Sequence, residues 1–118
     1  GQHLLLLQPM TMVYELRQWL WAHGYAIERE TLCREDRRQY VVLSVRGGAE
    51  KKNLPLWQCA FSPALLQADG AKDYLQALLT REERALEGMQ QANEIDHARL
   101  DMQRRLVMEI KQAWEGLQ

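Results

Sequence analysis

Four consecutive leucines, Leu4 to Leu7, closed by Gln8 and Pro9, constrain this chain more than any other stretch. An apolar run ended by a proline reads as a strand buried on both faces, and such strands lie inside parallel sheets covered by helices. Parallel neighbours have to flank a strand of that kind, and only three residues precede Leu4 to supply one. The expectation is therefore the C-terminal part of a larger α/β protein.

After Pro9 the period of the pattern changes. Thr11 is placed to cap a helix in which Val13, Leu16, Trp19 and Leu20 share an apolar face, with Glu15, Arg17 and Gln18 opposite. Gly24 follows the last turn, where a left-handed residue is wanted. Strand, short loop and helix make half of a βαβ unit. Tyr25 and Ile27 then start an alternation running to Cys33, Arg34 to Arg38 form a polar turn, and Tyr40 to Val45 have high strand propensity before Gly47 and Gly48 stop them. Two strands joined by a short polar turn are an antiparallel hairpin. The predicted sheet is mixed: parallel strands finished by an antiparallel hairpin at the edge.

Residues 49–53 are a charged connection, and Pro55 to Phe61 are apolar without a clean period. Ser62 before Pro63 places a cap ahead of a short helix through Leu65 and Leu66, ending near Asp69 and Gly70. From Ala71 onward there is no proline. Leu75, Leu78, Leu79, Leu86 and Met89 form one stripe, and Leu100, Val107, Ile110, Trp114 and Leu117 recur close to a heptad seam. With a break near Asn93, the pattern predicts two long helices folded back as an antiparallel coiled-coil hairpin. The predicted division is an α/β part at 1–53 and a helical part at 54–118.

A formal net charge of −1 provides no long-range attraction for nucleic acid or anionic membrane, so any such binding has to come from a local basic patch. Cys33 and Cys59 lack metal-ligand or CxxC spacing and read as thiols of a reduced compartment. The leucine run is too short to span a membrane or act as a signal peptide, which points to the cytoplasm. There is no GxGxxG, P-loop, HExxH or cysteine cluster, and His3, His23 and His97 fall on different elements. No complete active site can be assembled, and no metal site is expected.

Two groups of residues remain as candidates. Gln8 and Pro9 follow the carboxyl end of a strand, where doubly wound folds bind ligands; equally, Pro9 ends the strand and Gln8 bonds the next loop. Lys72, Arg81, Arg84, Arg99, Arg104, Arg105 and Lys111 could supply a phosphate-binding stripe, although acids such as Glu82, Glu83, Asp101 and Glu109 interleave with them as in a solvated face. Trp19 and Trp114 fall on the predicted apolar faces, as packing residues.

LLLLQPM, a helix ending WLWAHGY, a hairpin through REDRRQYVVLSV and FSPALL before long charged helices together resemble the C-terminal half of the bacterial tRNA (adenine(22)-N1)-methyltransferase family, also called TrmK-like. The resemblance implies a class I S-adenosylmethionine-dependent methyltransferase domain joined to a helical coiled-coil hairpin. Leu4 to Leu7 would be the fifth strand and the hairpin the last two. Gln8 and Pro9 would border the substrate pocket, and the helices would position tRNA. The chain departs from the family pattern at Met10, where an asparagine usually follows the proline. The part that holds S-adenosylmethionine is absent, so no cofactor is expected on these residues.

A rival reading from another class is a small α+β protein whose helical hairpin serves protein interaction or dimerisation. The exposed edge at Leu4 to Leu7 is expected either to pair with another molecule or to rearrange, and self-association could run through that edge or through the helical hairpin.

Overall fold

The computed structural model describes residues 3–118. Three strands, β1 (His3–Pro9), β2 (Ala26–Glu35) and β3 (Arg38–Arg46), form a sheet of order β1-β3-β2 with both pairings antiparallel. Helix α1 (Val13–Ala22) connects β1 to β2. Since β1 and β2 each oppose β3, they run in the same direction with β3 between them. The unit is a βαβ crossover whose two strands admit a third. The hairpin β2–β3 is as expected, closed by Asp36 and Arg37, with Asp36 at a φ of 56°. Aspartate tolerates that left-handed turn position better than most residues.

The expectation for the leucine run needs correction. Among the described residues β1 pairs on one side only, with β3, and that pairing is antiparallel rather than parallel. Nor is it buried on both faces, since Leu5 is 76% and Leu7 61% exposed. Register explains the split. Leu4, Leu6 and Gln8 stand opposite Val45, Leu43 and Val41, the buried residues of β3, while Leu5 and Leu7 alternate onto the other face.

Helix α1 starts differently from the sequence expectation and ends as expected. Met12, not Thr11, is the N-cap, without a side-chain bond, and its N–H donates to the Pro9 carbonyl at 3.1 Å. At the other end, Gly24 N–H donates to Trp21 O at 3.3 Å and Tyr25 N–H to Leu20 O at 2.9 Å, with Gly24 at a φ of 79°. This is the paired closure that a left-handed glycine permits. The face turned inward carries Val13, Arg17 and Leu20, whereas Trp19 is 51% exposed. Arg17 and Trp19 have thus exchanged the places the apolar pattern assigned to them.

A β-bulge at Glu28 sets the phase of β2. Ile27 pairs with Val45 and Arg29 with Ser44, leaving Glu28 as the extra residue, so that Glu30 opposite Leu43 returns to the same face as Ile27. Without the bulge, Glu30 would point away from α1.

Beyond β3 the chain makes two 3-10 turns, Leu56–Gln58 and Leu65–Gln67. The second stands where a short helix was expected, with the Ser62 hydroxyl accepting from Leu65 N–H at 3.2 Å. Two compact units emerge, one ending at Ala71 and the other Lys72–Gln118. Residues 54–71, which the sequence pattern groups with the helices, lie in the first. Cys59, Ala60, Ser62 and Leu65 are buried there.

Helices α2 (Ala71–Gln90) and α3 (His97–Gly116) follow, joined by residues 91–96. Asp96 caps α3 by accepting from Arg99 N–H at 3.2 Å. In α2, Leu75, Leu78 and Leu79 are buried; in α3, Leu100, Leu106 and Ile110 are. Val107, Trp114 and Leu117 of the anticipated seam are half-buried. Gln103 bridges the helices, its amide donating to Glu82 O at 2.9 Å and to Glu82 Oε2 at 2.8 Å. Among the described residues no helix is long and apolar enough to cross a membrane.

An exposed strand edge with leucines beside it favours pairing between molecules. Sedimentation velocity of the 118-residue chain should show concentration-dependent self-association. Leu5→Lys with Leu7→Lys should return it to monomer, and a wild-type chain that stays monomeric at high concentration would contradict the expectation.

Candidate functional site

The most highly organised polar cluster lies inside the first unit. Arg17 and Glu30 have side chains at 0% exposure and meet in a bidentate pair, Nε to Oε2 at 3.0 Å and Nη2 to Oε1 at 2.7 Å. Nη1 of Arg17 donates to the carbonyls of Cys59 at 3.0 Å and Ala60 at 2.8 Å. The Ser62 hydroxyl donates to Glu30 Oε2 while its oxygen accepts from Leu65 N–H. The fork of the guanidinium matches both carboxylate and carbonyls, so α1, β2 and the segment after β3 are tied at one point. Both charges are wholly enclosed, so neither reaches a substrate. The cluster is a scaffold.

Cys59 sits beside this cluster. Burial pushes its thiol up to about 11, against the pull of the Arg17 guanidinium toward the thiolate. Cys33 is an exposed free thiol on β2.

The residues singled out by position occupy two places. Gln8 and Pro9 end β1 opposite Val41 and Tyr40; Gln8 is half-buried, on the side of the sheet that carries the buried valines. Pro9 does close the strand, because its carbonyl begins the turn into α1. Lys72, Arg81, Arg84, Arg99, Arg104, Arg105 and Lys111 are all exposed. Arg104 reaches Asp101 at 3.5 Å and Arg81 reaches Glu82 at 4.0 Å. At roughly 100° per residue, Arg104 and Lys111 share one face of α3, while Lys72, Arg81 and Arg84 are spread around α2. The cations are therefore accessible but do not form a single stripe.

Sequence reading missed Arg17, Glu30 and the second role of Ser62. The signal for Arg17 was its spacing in the set Val13, Arg17 and Leu20, which fits one helical face once an arginine is allowed a buried partner. It also missed the pair Trp19 and His23, which stack on the outer face of α1. Two clefts flank these features. One, of about 570 Å³, runs along Glu28 to Leu32 and Gln67 to Asp69; the other, of about 520 Å³, lies against Trp19 and His23. The Glu30 carboxylate is taken up by Arg17 and Ser62 and offers no acid to the first.

The fold is of Rossmann-like α/β type, with two long helices following it. The profile of the TrmK family, tRNA (adenine(22)-N(1))-methyltransferase, matches residues 1–113, and the chain belongs to this family. No curated protein matches it. Among solved structures it is similar to M. capricolum TrmK in complex with S-adenosyl-homocysteine, at 20% identity and a TM-score of 0.66, covering 98% of this chain and 50% of that one. B. subtilis tRNA methyltransferase TrmK aligns at 20% identity and 0.60, covering 98% and 50%. A protein from Listeria monocytogenes serotype 4b aligns at 15% and 0.70, covering 94% and 50%. The chain spans about half the length of these solved relatives.

Breaking a buried ion pair leaves one charge without its partner, at a cost of about 3–5 kcal/mol. Arg17→Met should lower the unfolding free energy of the first unit by about that amount. Arg17→Met with Glu30→Leu should recover only part, because the carbonyls of Cys59 and Ala60 lose their donor. Urea unfolding followed by tryptophan fluorescence checks both, and a loss under about 1 kcal/mol for the single change would contradict the assignment. The thiols should also separate. At pH 8 an aromatic disulfide reagent should titrate Cys33 rapidly and Cys59 only on unfolding, since a pKa of about 11 leaves almost no thiolate there.

Proposed function

We propose that this chain is the C-terminal portion of an S-adenosylmethionine-dependent tRNA adenine-N1 methyltransferase, supplying a rim of the substrate pocket at Gln8 and Pro9 and a helical arm that positions tRNA. The observation that carries this reading is the family match along residues 1–113, together with coverage of about half of each solved relative. β1 is then the fifth strand of the parent sheet, and β2 and β3 are its last two. The bare side of β1 is where the rest of that sheet pairs.

The residues present do not suit the cofactor. The strand-to-helix connection at 10–12 has no glycine, and α1 begins at Val13 after the N-cap Met12, which makes no side-chain bond, so this connection offers no loop for close approach to the nucleoside. S-adenosylmethionine is assigned to the missing half, and no methyl-transfer step is derived from these residues. The adenine N1 lone pair is itself the nucleophile. What remains for this portion is placement of the base and the RNA.

In this reading α2 and α3 pair as an antiparallel coiled-coil hairpin, with the Gln103 bond to Glu82 fixing their register. Their exposed arginines and lysines meet phosphates of a folded RNA, which is recognised mainly by shape and backbone. A protein-interaction role for the same helices is favoured by one observation, the exposure of Met102 and Met108 on α3 outside its buried residues.

A salt titration of tRNA binding by the 118-residue chain, with unrelated duplex RNA as control, separates the two readings. Preference for tRNA with steep loss at high salt supports the arm. Arg104→Glu with Arg105→Glu should then lower the slope of log K against log salt by about two. Unchanged affinity and slope would overturn the assignment of these arginines, and failure to bind any RNA would favour the protein-interaction role.

A further inference from the structure

Trp19 is a large aromatic residue half open to solvent, with two other rings close to its own. Its ring lies 4.1 Å from that of His23 at an interplanar angle of 16°, and 6.0 Å from that of Tyr25 at 26°. The plane of His23 is fixed, because its Nδ1–H donates to the Trp19 carbonyl at 2.8 Å. A rigid aromatic platform beside a cleft of about 520 Å³ is within the size range of small-ligand sites.

The opposite wall of the cleft comes from the segment after β3, which is pinned to α1. Ala49 N–H donates to Gly24 O at 2.8 Å, Lys52 N–H to Trp21 O at 2.8 Å, and the Gln18 amide to Leu54 O at 2.9 Å. These bonds hold residues 49–54 against the C-terminal turn of α1, with Asn53 and Leu54 lining the cleft and Lys51 and Lys52 preceding them in the chain. Both lysines are exposed and neither forms an ion pair among the described residues. Gln18, its amide nitrogen committed to Leu54 O, and Glu15 both line the cleft, so the acceptors available there are an amide oxygen and a carboxylate.

Aromatic faces with adjacent lysines form a platform for single-stranded nucleic acid, because every base has a π-face and every linkage a negative charge. Glu15 and Gln18 are acceptors, which suit a base bearing an exocyclic amine and would repel a phosphate. We propose that this cleft seats one unpaired nucleotide of the bound RNA, its base stacked on the Trp19–His23 pair and its flanking phosphates on Lys51 and Lys52. The proposal rests on the RNA-binding reading above and adds a second contact, on the first unit rather than on α2 and α3, that responds to unpaired bases. Adenine, cytosine and guanine bring an exocyclic amine to these acceptors; uracil brings only its N3–H.

The probe is a single-stranded hexaribonucleotide carrying one 2-aminopurine, whose fluorescence is quenched when it stacks on an aromatic ring. The 118-residue chain should quench it, with oligonucleotides rich in adenine bound more tightly than oligouridine. Trp19→Leu should weaken binding by about tenfold and Trp19→Phe by much less. Lys51→Glu with Lys52→Glu should lower the salt slope by about 1.4 while leaving the adenine preference intact. Trp19 is exposed, so circular dichroism should show these variants folded. Quenching that survives Trp19→Leu, or duplex RNA bound as tightly as single strands, would overturn the proposal. Arg104→Glu with Arg105→Glu keeps the two readings apart. Loss of tRNA binding with the hexamer response intact supports separate sites; tRNA binding with no Trp19-dependent hexamer response removes this site and leaves the arm.

Discussion

The first unit depends on the Arg17–Glu30 ion pair. A guanidinium and a carboxylate removed from water are tolerated only when nearly every lone pair and N–H finds a partner, and here α1, β2 and the segment carrying Cys59, Ala60 and Ser62 each supply one. The geometry is directional, as an apolar contact is not. It sets the rotation of α1 about its axis, because Arg17 reaches Glu30 only when Val13 and Leu20 also face the sheet. Trp19 is then left on the outside. A second constraint acts at the end of the same helix, where a Cβ on Gly24 would meet the Ala49 carbonyl at 2.9 Å. The loop bearing Lys51 and Lys52 thus follows the helix closely because residue 24 has no side chain.

Much of the architecture was legible from local signals. The period of 3.6 in both long helices, the turn chemistry between β2 and β3 and the glycine after α1 each act over a few residues, so they survive without knowledge of the rest of the fold. What failed was nonlocal. Arg17 was placed outside because charge is read as exposure, and its partner was invisible because the bulge at Glu28 reverses the alternation begun at Ile27. The composition of the leucine run suits burial on two faces, whereas only its even-numbered leucines meet β3's buried side here. Candidate site residues were legible as exposed cations and as a strand end. The aromatic platform was not, because Trp19 and His23 look like one helical turn of packing until their exposure is known.

Membership of the TrmK family and the division into two compact units bear on one another. Gln8 and Pro9 belong to the first unit and the seven cations to the second, apart from any chemistry they serve together. The Trp19 cleft also belongs to the first unit, on the outer side of α1.

Ser62 has two obligations that arise at different ranges. Its oxygen closes a turn three residues long, and its proton goes to a carboxylate on a strand thirty-two residues earlier. Local order in the connector is therefore conditional on the sheet being assembled. The segment leading into α2 is not a hinge that stays folded by itself, and partial opening of β2 would release it at the same step.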